Sequence, residues 1–377
     1  MFTVHLLKAL CLGCFSAWLV LSAWVLVNRV LFDRRARLER LDSARLIEGS
    51  PGVQPSRRRL LRLAVADQGA AAAAAARALI RIDAGSLFDA ASRSGGGTAR
   101  NRALRILARG GSPDAVALLR AAIGERNPAA TGAAVGIVSE IDSPAADALL
   151  LEVLVAGDHP RSRTATELEP RAAQIRAELL ATADSDDPTV RYWALTLLER
   201  VSHDREIEST AMRRAGDDDP RVRAAAAQLL AHATGEPALE SVQTLMHDDV
   251  FFVRAHAARA VGALGAGHLA GELSELLADS NWWVRAATRE GLVALGPAGV
   301  AAAVDALDHT DRFARDGARD VILAWDRLHR PADETGGTEA AALLEEIRRR
   351  RPDLGEPRAP RPSPWPVTRL ESGKAAG

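Results

Sequence analysis

Cysteine and aromatic residues are scarce in this chain of 377 residues. Its two cysteines, Cys11 and Cys14, lie together in one apolar stretch, so the chain has no disulfide framework. Aromatic residues make up 4% of the chain, and the absence of alternating β-branched runs disfavours a sheet protein. The sequence also lacks a glycine-rich phosphate loop, a nucleophile elbow and a metal-ligand spacing. We therefore expect no cofactor, no metal ion and no catalytic residue, and we do not expect an enzyme.

The formal net charge of −1 conceals an uneven distribution of charged residues. Residues 34–62 hold nine arginines and three acidic residues, and residues 348–377 hold eight basic and three acidic residues. Residues 63–347 between them hold 29 basic and 42 acidic residues. Binding to a nucleic acid requires lysines and arginines clustered on the binding face. The acidic body therefore predicts that nucleic acid is not a partner.

One short sequence recurs at a nearly constant interval. Its clearest copy is DDDPRVRAAAAQLLA, at residues 217–231. The arginine of each copy is followed by the next after 32, 31, 31 and 30 residues, and these arginines are Arg191, Arg223, Arg254, Arg285 and Arg315. Weaker copies align earlier in the chain at Ala71, Arg100, Thr131 and Arg163. A period of this length indicates a stack of repeated supersecondary units.

Each copy has the composition of a helix start. Aspartate suits the N-cap, proline fits the first helical turn, and Val, Ala and Leu follow at helical spacing. A second apolar run, such as residues 239–246, separates consecutive copies. Each unit is therefore predicted to be a helical hairpin, and the fold class is predicted to be an all-α solenoid preceded by one transmembrane helix.

These units resemble the HEAT repeat family, in particular the bacterial subgroup with Asp-x-x-x-Val-Arg units that is also seen in phycobilin lyase-type proteins. The four units between Asp186 and Leu295 carry the resemblance. It implies a scaffold or adaptor, since only a minority of such proteins are enzymes. Deoxyhypusine hydroxylase, a HEAT-type enzyme, is expected to show His-Glu pairs as iron ligands, and no histidine here is followed by glutamate. A HEAT-like DNA glycosylase is disfavoured by the acidic body.

The first 30 residues contain a candidate membrane anchor. Residues 9–27 carry no charge, and a helix of about 20 apolar residues spans a bilayer. More arginines follow this stretch than precede it, which predicts an inner (plasma) membrane protein, N-out with a cytoplasmic solenoid. A periplasmic (extracytoplasmic) solenoid is the alternative. We expect the anchor and a basic juxtamembrane helix in residues 1–48, a linker in 49–55, the solenoid in 56–350, and a disordered Pro/Arg-rich tail in 351–377.

Most aromatic residues of the body lie beside the recurring arginines. Two interpretations are open: they pack between repeats, or they line a groove for a partner. The aspartates before the arginines likewise suit either bridging of neighbouring loops or recognition of an anion. The candidate partner-binding residues are Tyr192, Trp193, Phe251, Phe252, Arg254, Trp282, Trp283 and Arg285.

The sequence as a whole predicts a membrane-anchored scaffold or adaptor for protein–protein interaction. Its partner is expected to be another, membrane-associated protein held at the cytoplasmic face, with residues 9–27 and the basic flanks contacting the membrane. The alternative is a HEAT-scaffold enzyme or enzyme subunit, either lyase-like or accessory to a membrane glycan or lipid enzyme. That alternative predicts polar residues that converge inside the concave face.

Overall fold

The structure is a computed structural model. It describes residues 56–66, 69–95, 97–125, 127–157 and 159–329, together with residues 345, 347 and 349. The regions predicted as anchor, linker and tail lie outside the described residues.

The described residues form helices and connecting turns, with no strand among them, which confirms the predicted all-α class. The chain divides into two compact units between Arg176 and Ala177. In each unit, helices pack against their neighbours along the chain and also against helices of the following repeat. This pattern is that of an α-solenoid.

Unit one is built from seven α-helices among its described residues. They are α1 (Arg57–Ala66), α2 (Ala70–Ser92), α3 (Thr98–Arg109), α4 (Ala115–Gly124), α5 (Pro128–Val138), α6 (Pro144–Ala156) and α7 (Arg161–Leu168). Helix α2 is interrupted at Asp83, where φ is −152° and ψ is 51°. Helix α3 packs against both α2 and α5, and α5 packs against α4 and α6.

Unit two is built from ten α-helices among the described residues, the first of which begins at the unit boundary. They are α8 (Arg176–Thr182), α9 (Pro188–Leu198), α10 (Arg205–Arg214), α11 (Pro220–Leu230), α12 (Glu236–Met246), α13 (Phe251–Ala263), α14 (Ala270–Glu275), α15 (Trp282–Ala294), α16 (Pro297–Ala306) and α17 (Arg312–His329). Helices α9, α11, α13, α15 and α17 carry the recurring sequence, and each packs against the next of this set.

The recurring sequence forms these helices for the reasons that its composition suggests. The carboxylate of Asp187 accepts a hydrogen bond from the backbone N–H of Thr189 at 2.8 Å, and Pro188 occupies the first helical position. Asp219 caps α11 in the same way, at 2.8 Å from the backbone nitrogen of Arg221. A fully buried valine precedes four of the five recurring arginines, and a fully buried alanine, Ala314, precedes the fifth; the valines are Val190, Val222, Val253 and Val284.

Helices α13 and α15 approach each other unusually closely because each has a glycine at the contact. A Cβ atom placed on Gly262 would lie 2.6 Å from the Cα atom of Gly291. A Cβ atom on Gly291 would lie 2.4 Å from the carbonyl oxygen of Ala258. Since both neighbours are backbone atoms, no side-chain rotation relieves the overlap. The two repeats therefore pack backbone to backbone near the C-terminal ends of α13 and α15, at the opposite end of these helices from the aromatic residues.

The structure contradicts the predicted localisation. Among the described residues, no helix is both long and apolar enough to cross a membrane. The longest, α2, has 23 residues but contains four charged side chains, and a charge at the centre of a bilayer costs several kcal/mol. The predicted span, residues 9–27, lies outside the described residues. The predicted inner-membrane localisation is therefore withdrawn, both with a cytoplasmic and with a periplasmic solenoid.

Candidate functional site

Aromatic side chains lie exposed where three consecutive long helices of unit two begin. Phe251 is the first residue of α13, Trp282 and Trp283 are the first two residues of α15, and Phe313 is the second residue of α17. Their exposed fractions are 38%, 64%, 50% and 56%, respectively. We call these four residues the aromatic surface. Large apolar side chains exposed together are rare on a folded chain and mark interaction sites.

The rings of this surface contact one another across the repeat boundary. The centroids of Phe251 and Trp283 lie 6.2 Å apart with an interplanar angle of 78°, which joins α13 to α15. Trp282 and Trp283 lie 5.6 Å apart at 88°. Such edge-to-face pairs are favourable beyond the area they bury, by about 0.5 to 1.5 kcal/mol. The rings are therefore held in place while their outer faces remain in solvent.

Three further aromatic residues of the predicted set are less exposed. Phe252 is half-buried and meets Phe251 edge to face at 5.6 Å. Tyr192 and Trp193 are also half-buried and pack on each other on α9, at 5.0 Å and 65°. No ring contact among the described residues joins that pair to Phe251. The structure thus brings Phe251, Phe252, Trp282 and Trp283 together and leaves Tyr192 and Trp193 as a separate pair.

Arginine–aspartate ion pairs join successive repeats along the same edge. In each, the arginine donates through Nε and Nη2 to both oxygens of an aspartate that precedes the next long helix. The N–O distances lie between 2.6 and 3.1 Å. Each arginine also donates through Nη1 to the carbonyl oxygens five and six residues before it. We call these pairs the ladder: Arg191–Asp217, Arg223–Asp248 and Arg254–Asp279.

Two pairs of the ladder, Arg191–Asp217 and Arg223–Asp248, stabilise the charged forms of their own side chains. Burial alone raises the pKa of the Asp248 carboxyl, but hydrogen bonds from Arg223 and from the backbone N–H of Val250 hold that pKa below its usual value. The hydrogen bond to Asp248 in turn raises the pKa of Arg223 despite its desolvation. Asp217 and Arg191 show the same opposed shifts. The ladder therefore acts as a structural bridge between neighbouring loops.

An equivalent pair occurs in unit one. Arg100 is buried and donates through Nη1 to Glu125 at 2.8 Å and to the carbonyl oxygen of Gly95 at 3.2 Å. The carboxylate lies 25 residues after the arginine, as it does for Arg254 and Asp279. The weak sequence copy placed at Arg100 therefore also pairs with a carboxylate of the next repeat, but through one oxygen only, since its Nε donates to the carbonyl oxygen of Ala91.

Arg254 has a structural role. Both edges of its guanidinium are engaged, one by Asp279 at 2.8 and 3.1 Å and the other by the carbonyl oxygens of Asp248 and Asp249 at 2.6 and 3.1 Å. These contacts hold the start of α15 against α13. Binding of a partner by Arg254 stays a prediction.

Arg285 occupies the ladder position of the following repeat without a carboxylate. Its Nη1 donates to the carbonyl oxygens of Asp279 and Ser280 at 2.6 and 3.1 Å, as in the other repeats. Its Cζ atom lies 4.4 Å from the centroid of the Phe313 ring, a cation–π geometry. Within the part of the chain that the structure describes, no carboxylate pairs with Arg285, because His309 stands at the aspartate position. The sequence analysis did not identify this replacement of aspartate by histidine. It could have been found, because the ladder aspartates and His309 all lie six residues before the next recurring arginine.

Unit two has a further concave region between α15 and α17. A depression of about 910 Å³ between α15 and α17 is lined by residues of both charges, including Arg289, Glu290 and Asp320. No group of three or more His, Cys, Asp or Glu side chains among the described residues is arranged to hold a metal ion.

Comparison with known proteins identifies the repeats. Residues 85–169 and 176–262 match the family model for HEAT repeats, so these parts of the chain are built of HEAT repeats. No curated protein shows significant sequence similarity to the chain.

Solved structures show a more distant likeness. A chain in the structure of Kap95p bound to RanGDP is 16% identical, with a TM-score of 0.47 over 77% of this chain, and this chain spans only 47% of that one. The YibA protein of Escherichia coli is 14% identical, with a TM-score of 0.41 over 67% of this chain and 95% of its own. Human deoxyhypusine hydroxylase is 18% identical, with a TM-score of 0.29 over 69% of this chain and 100% of its own. At these values, the similarities carry no argument about function.

Proposed function

We propose that this α-solenoid of HEAT repeats is a protein–protein interaction scaffold that binds its partner through the aromatic surface of unit two. The observation that carries the proposal is the exposure of Trp282 and Trp283 beside Phe251 and Phe313. Tryptophan is enriched among the interface residues that dominate binding energy. Burying the exposed half of one tryptophan contributes about 2 to 3 kcal/mol.

The mechanism is geometric. The ladder pair Arg254–Asp279 fixes the starts of α13 and α15 relative to each other, and the contact between Gly262 and Gly291 holds the opposite ends of these helices together. The rings on those helix starts are thus pre-organised, and a pre-organised surface loses little conformational entropy when a partner binds. The repeat stack supplies the rigid support, as in other solenoid binding proteins.

The partner we propose is a protein. Unit two carries 15 basic and 25 acidic residues between residues 177 and 329, and this balance opposes the approach of a polyphosphate backbone. The aromatic surface offers apolar area and one accessible guanidinium, which suits a folded or extended polypeptide. The predicted residues Tyr192, Trp193 and Phe252, being half-buried, are proposed to contribute less than the four exposed rings.

We also propose that the chain is not itself an enzyme. The four residues of the aromatic surface offer rings for binding, and none of their own side chains carries a hydroxyl, thiol or imidazole that could act as a nucleophile or base. The alternative of a HEAT-scaffold enzyme or enzyme subunit rests on the depression between α15 and α17. Its charged lining is already divided between opposite signs, and we therefore favour the scaffold.

Affinity capture from a lysate of the source organism tests the proposal. The full chain, the double variant Trp282→Ala/Trp283→Ala and the control Leu328→Ala are each used as bait. Leu328 is also exposed but lies near the end of α17, away from the aromatic surface. We expect a protein that the wild type and Leu328→Ala retain and the double variant loses. Equal retention by all three folded baits would refute the aromatic surface as the binding site.

A further inference from the structure

The ladder loses its carboxylate between α15 and α17. In the preceding repeat, Oδ1 of Asp279 accepts hydrogen bonds from the backbone N–H of Asn281 at 2.7 Å and from Nη2 of Arg254 at 3.1 Å. Oδ2 of Asp279 accepts from Nε of Arg254 at 2.8 Å. A carboxylate therefore serves the backbone cap and the arginine at the same time, because it has two acceptor oxygens.

Histidine at the same position caps the backbone and offers nothing to the arginine; its Nε2 lies 3.7 Å from Oε2 of Glu275. Nδ1 of His309 accepts a hydrogen bond from the backbone N–H of Asp311 at 2.9 Å. An imidazole whose Nδ1 accepts carries its proton on Nε2 and has no second acceptor. The other arginines of the ladder each meet a carboxylate at this position. Arg285 instead meets His309, whose side chain offers it no lone pair. Its Nε and Nη2 donors are left without a partner among the described residues.

These donors are accessible to solvent. Neither Nε nor Nη2 of Arg285 is among the buried polar atoms that lack a hydrogen bond. The guanidinium is nevertheless held in a fixed position, since Nη1 is bound to two carbonyl oxygens and the flat face lies 4.4 Å over Phe313. A fixed guanidinium with one free edge is suited to accept both oxygens of a carboxylate.

The free edge belongs to the aromatic surface. Trp282 and Arg285 are three residues apart on α15, so their side chains are neighbours on one face of the helix. Phe313, under the guanidinium, is itself exposed. A ligand that reaches Arg285 thus also contacts aromatic rings on two sides.

We propose that Arg285 receives the side-chain carboxylate of one Asp or Glu residue of the partner, next to an apolar residue that packs on Trp282. The partner's carboxylate accepts hydrogen bonds from Nε and Nη2 of Arg285, the two donors that Asp279 engages on Arg254. The inference rests on the proposed function of the aromatic surface and specifies the chemistry of the partner. The acidic balance of unit two restricts the ligand to a single carboxylate in an apolar context, since a run of acidic residues is repelled.

Selection of peptides on the full chain provides the probe. A phage-displayed library of random seven-residue peptides is selected on the wild type and, in parallel, on Trp282→Ala/Trp283→Ala. The peptides that bind only the wild type are then synthesised in two forms, one with the acidic residue and one with the corresponding amide. Their dissociation constants are measured on the wild type and on three variants: Arg285→Ala, His309→Asp and His309→Asn.

His309→Asp is the informative variant, because it supplies an internal carboxylate to Arg285 and leaves the aromatic surface intact. His309→Asn is its matched control, since an amide accepts the backbone cap without an ion pair. On the wild type and on His309→Asn, we expect exchange of the acid for the amide to weaken binding roughly tenfold or more. On His309→Asp and Arg285→Ala, we expect the two peptides to bind equally.

The outcomes separate the two proposals. Two outcomes overturn the inference and leave the proposed function standing. In the first, the selected peptides depend on the tryptophans but bind equally well as acid and as amide. In the second, their preference for the acid survives in both His309→Asp and Arg285→Ala. A selection that yields no tryptophan-dependent peptide overturns both. Circular dichroism of each variant confirms that the helical fold is retained.

Discussion

Arg254 and Asp279 form a two-point ion pair, with N–O distances of 2.8 and 3.1 Å, that joins the start of helix α13 to the loop before α15. The same contact recurs at a spacing of 25 or 26 residues in the two preceding repeats of unit two. Because it joins the starts of the two helices that carry Phe251 and Trp282, it contributes both to the stability of unit two and to the placement of the rings.

Replacing the acid of this pair tests its contribution to stability. In Asp279→Asn the amide keeps the backbone cap to Asn281 but leaves a largely buried guanidinium without its counter-charge. We expect a loss of about 2 kcal/mol in the free energy of unfolding, measured by urea titration. Asp249→Asn is the control, because Asp249 is exposed, and its unfolding free energy is expected to change by less than about 0.5 kcal/mol. Equal effects of the two variants would contradict a stabilising role for the ladder.

Acid denaturation provides a second test of the ladder. Since the pKa of Asp248 is lower in the folded chain than in the unfolded chain, the ionised carboxylate favours the folded state. This stabilisation is complete above the unfolded pKa, about 3.9, and is lost as the pH falls through the folded value. We therefore expect the difference in melting temperature between the wild type and Asp248→Asn to be constant from pH 5 to 7 and to shrink below about pH 4. A difference that stays constant down to pH 2 would show that this ionisation is not linked to folding.

The contact between α13 and α15 is predicted to tolerate no added methyl group. In Gly291→Ala the new Cβ meets the Ala258 carbonyl oxygen, and forced overpacking costs about 1 to 3 kcal/mol. Gly271→Ala is the matched control, because Gly271 lies in α14 with no heavy atom within 4 Å of a new Cβ. Alanine is the better helix former, so the control is expected to be neutral or slightly stabilising. Thermal unfolding of both variants measures the contrast, and destabilisation by Gly271→Ala alone would contradict it.

Completing the ladder is predicted to stabilise unit two. In His309→Asp, the new carboxylate can cap the backbone and pair with Arg285, as Asp279 does for Arg254. We expect the free energy of unfolding to rise by about 1 kcal/mol at pH 7. The double variant His309→Asp/Arg285→Ala is expected to lose this gain. A gain that persists without Arg285 would show that it comes from the aspartate cap and not from the ion pair.

The sequence was sufficient to predict the helical hairpins, because the aspartate cap, the proline and the apolar spacing of each repeat act locally. It also predicted the Arg100 position, whose pairing with Glu125 the structure shows. The partners within the ladder were harder to predict. Each arginine follows its own repeat's aspartates closely, and only the structure shows that it pairs with an aspartate of the next repeat.

Exposure of the aromatic residues depends on tertiary packing. Adjacent residues on a helix point about 100° apart, so the sequence indicates that one of each pair can be buried but not which one. In the structure both Trp282 and Trp283 are exposed, whereas Phe252 is half-buried beside Phe251. The prediction of localisation was wrong; it rested on the apolar run at residues 9–27 and on the arginines that follow it, and neither is supported by a helix that could span a membrane among the described residues.

Site-specific photocross-linking tests the central claim most directly. A photoreactive benzoylphenylalanine replaces Trp282 in the full chain, and the same residue replaces Leu328 in a control. After irradiation in cells, we expect a discrete covalent adduct with a protein from position 282 and none from position 328. If position 282 yields no adduct while the helical fold is intact, or if both positions yield the same adducts, the aromatic surface is not the site where this chain binds a partner.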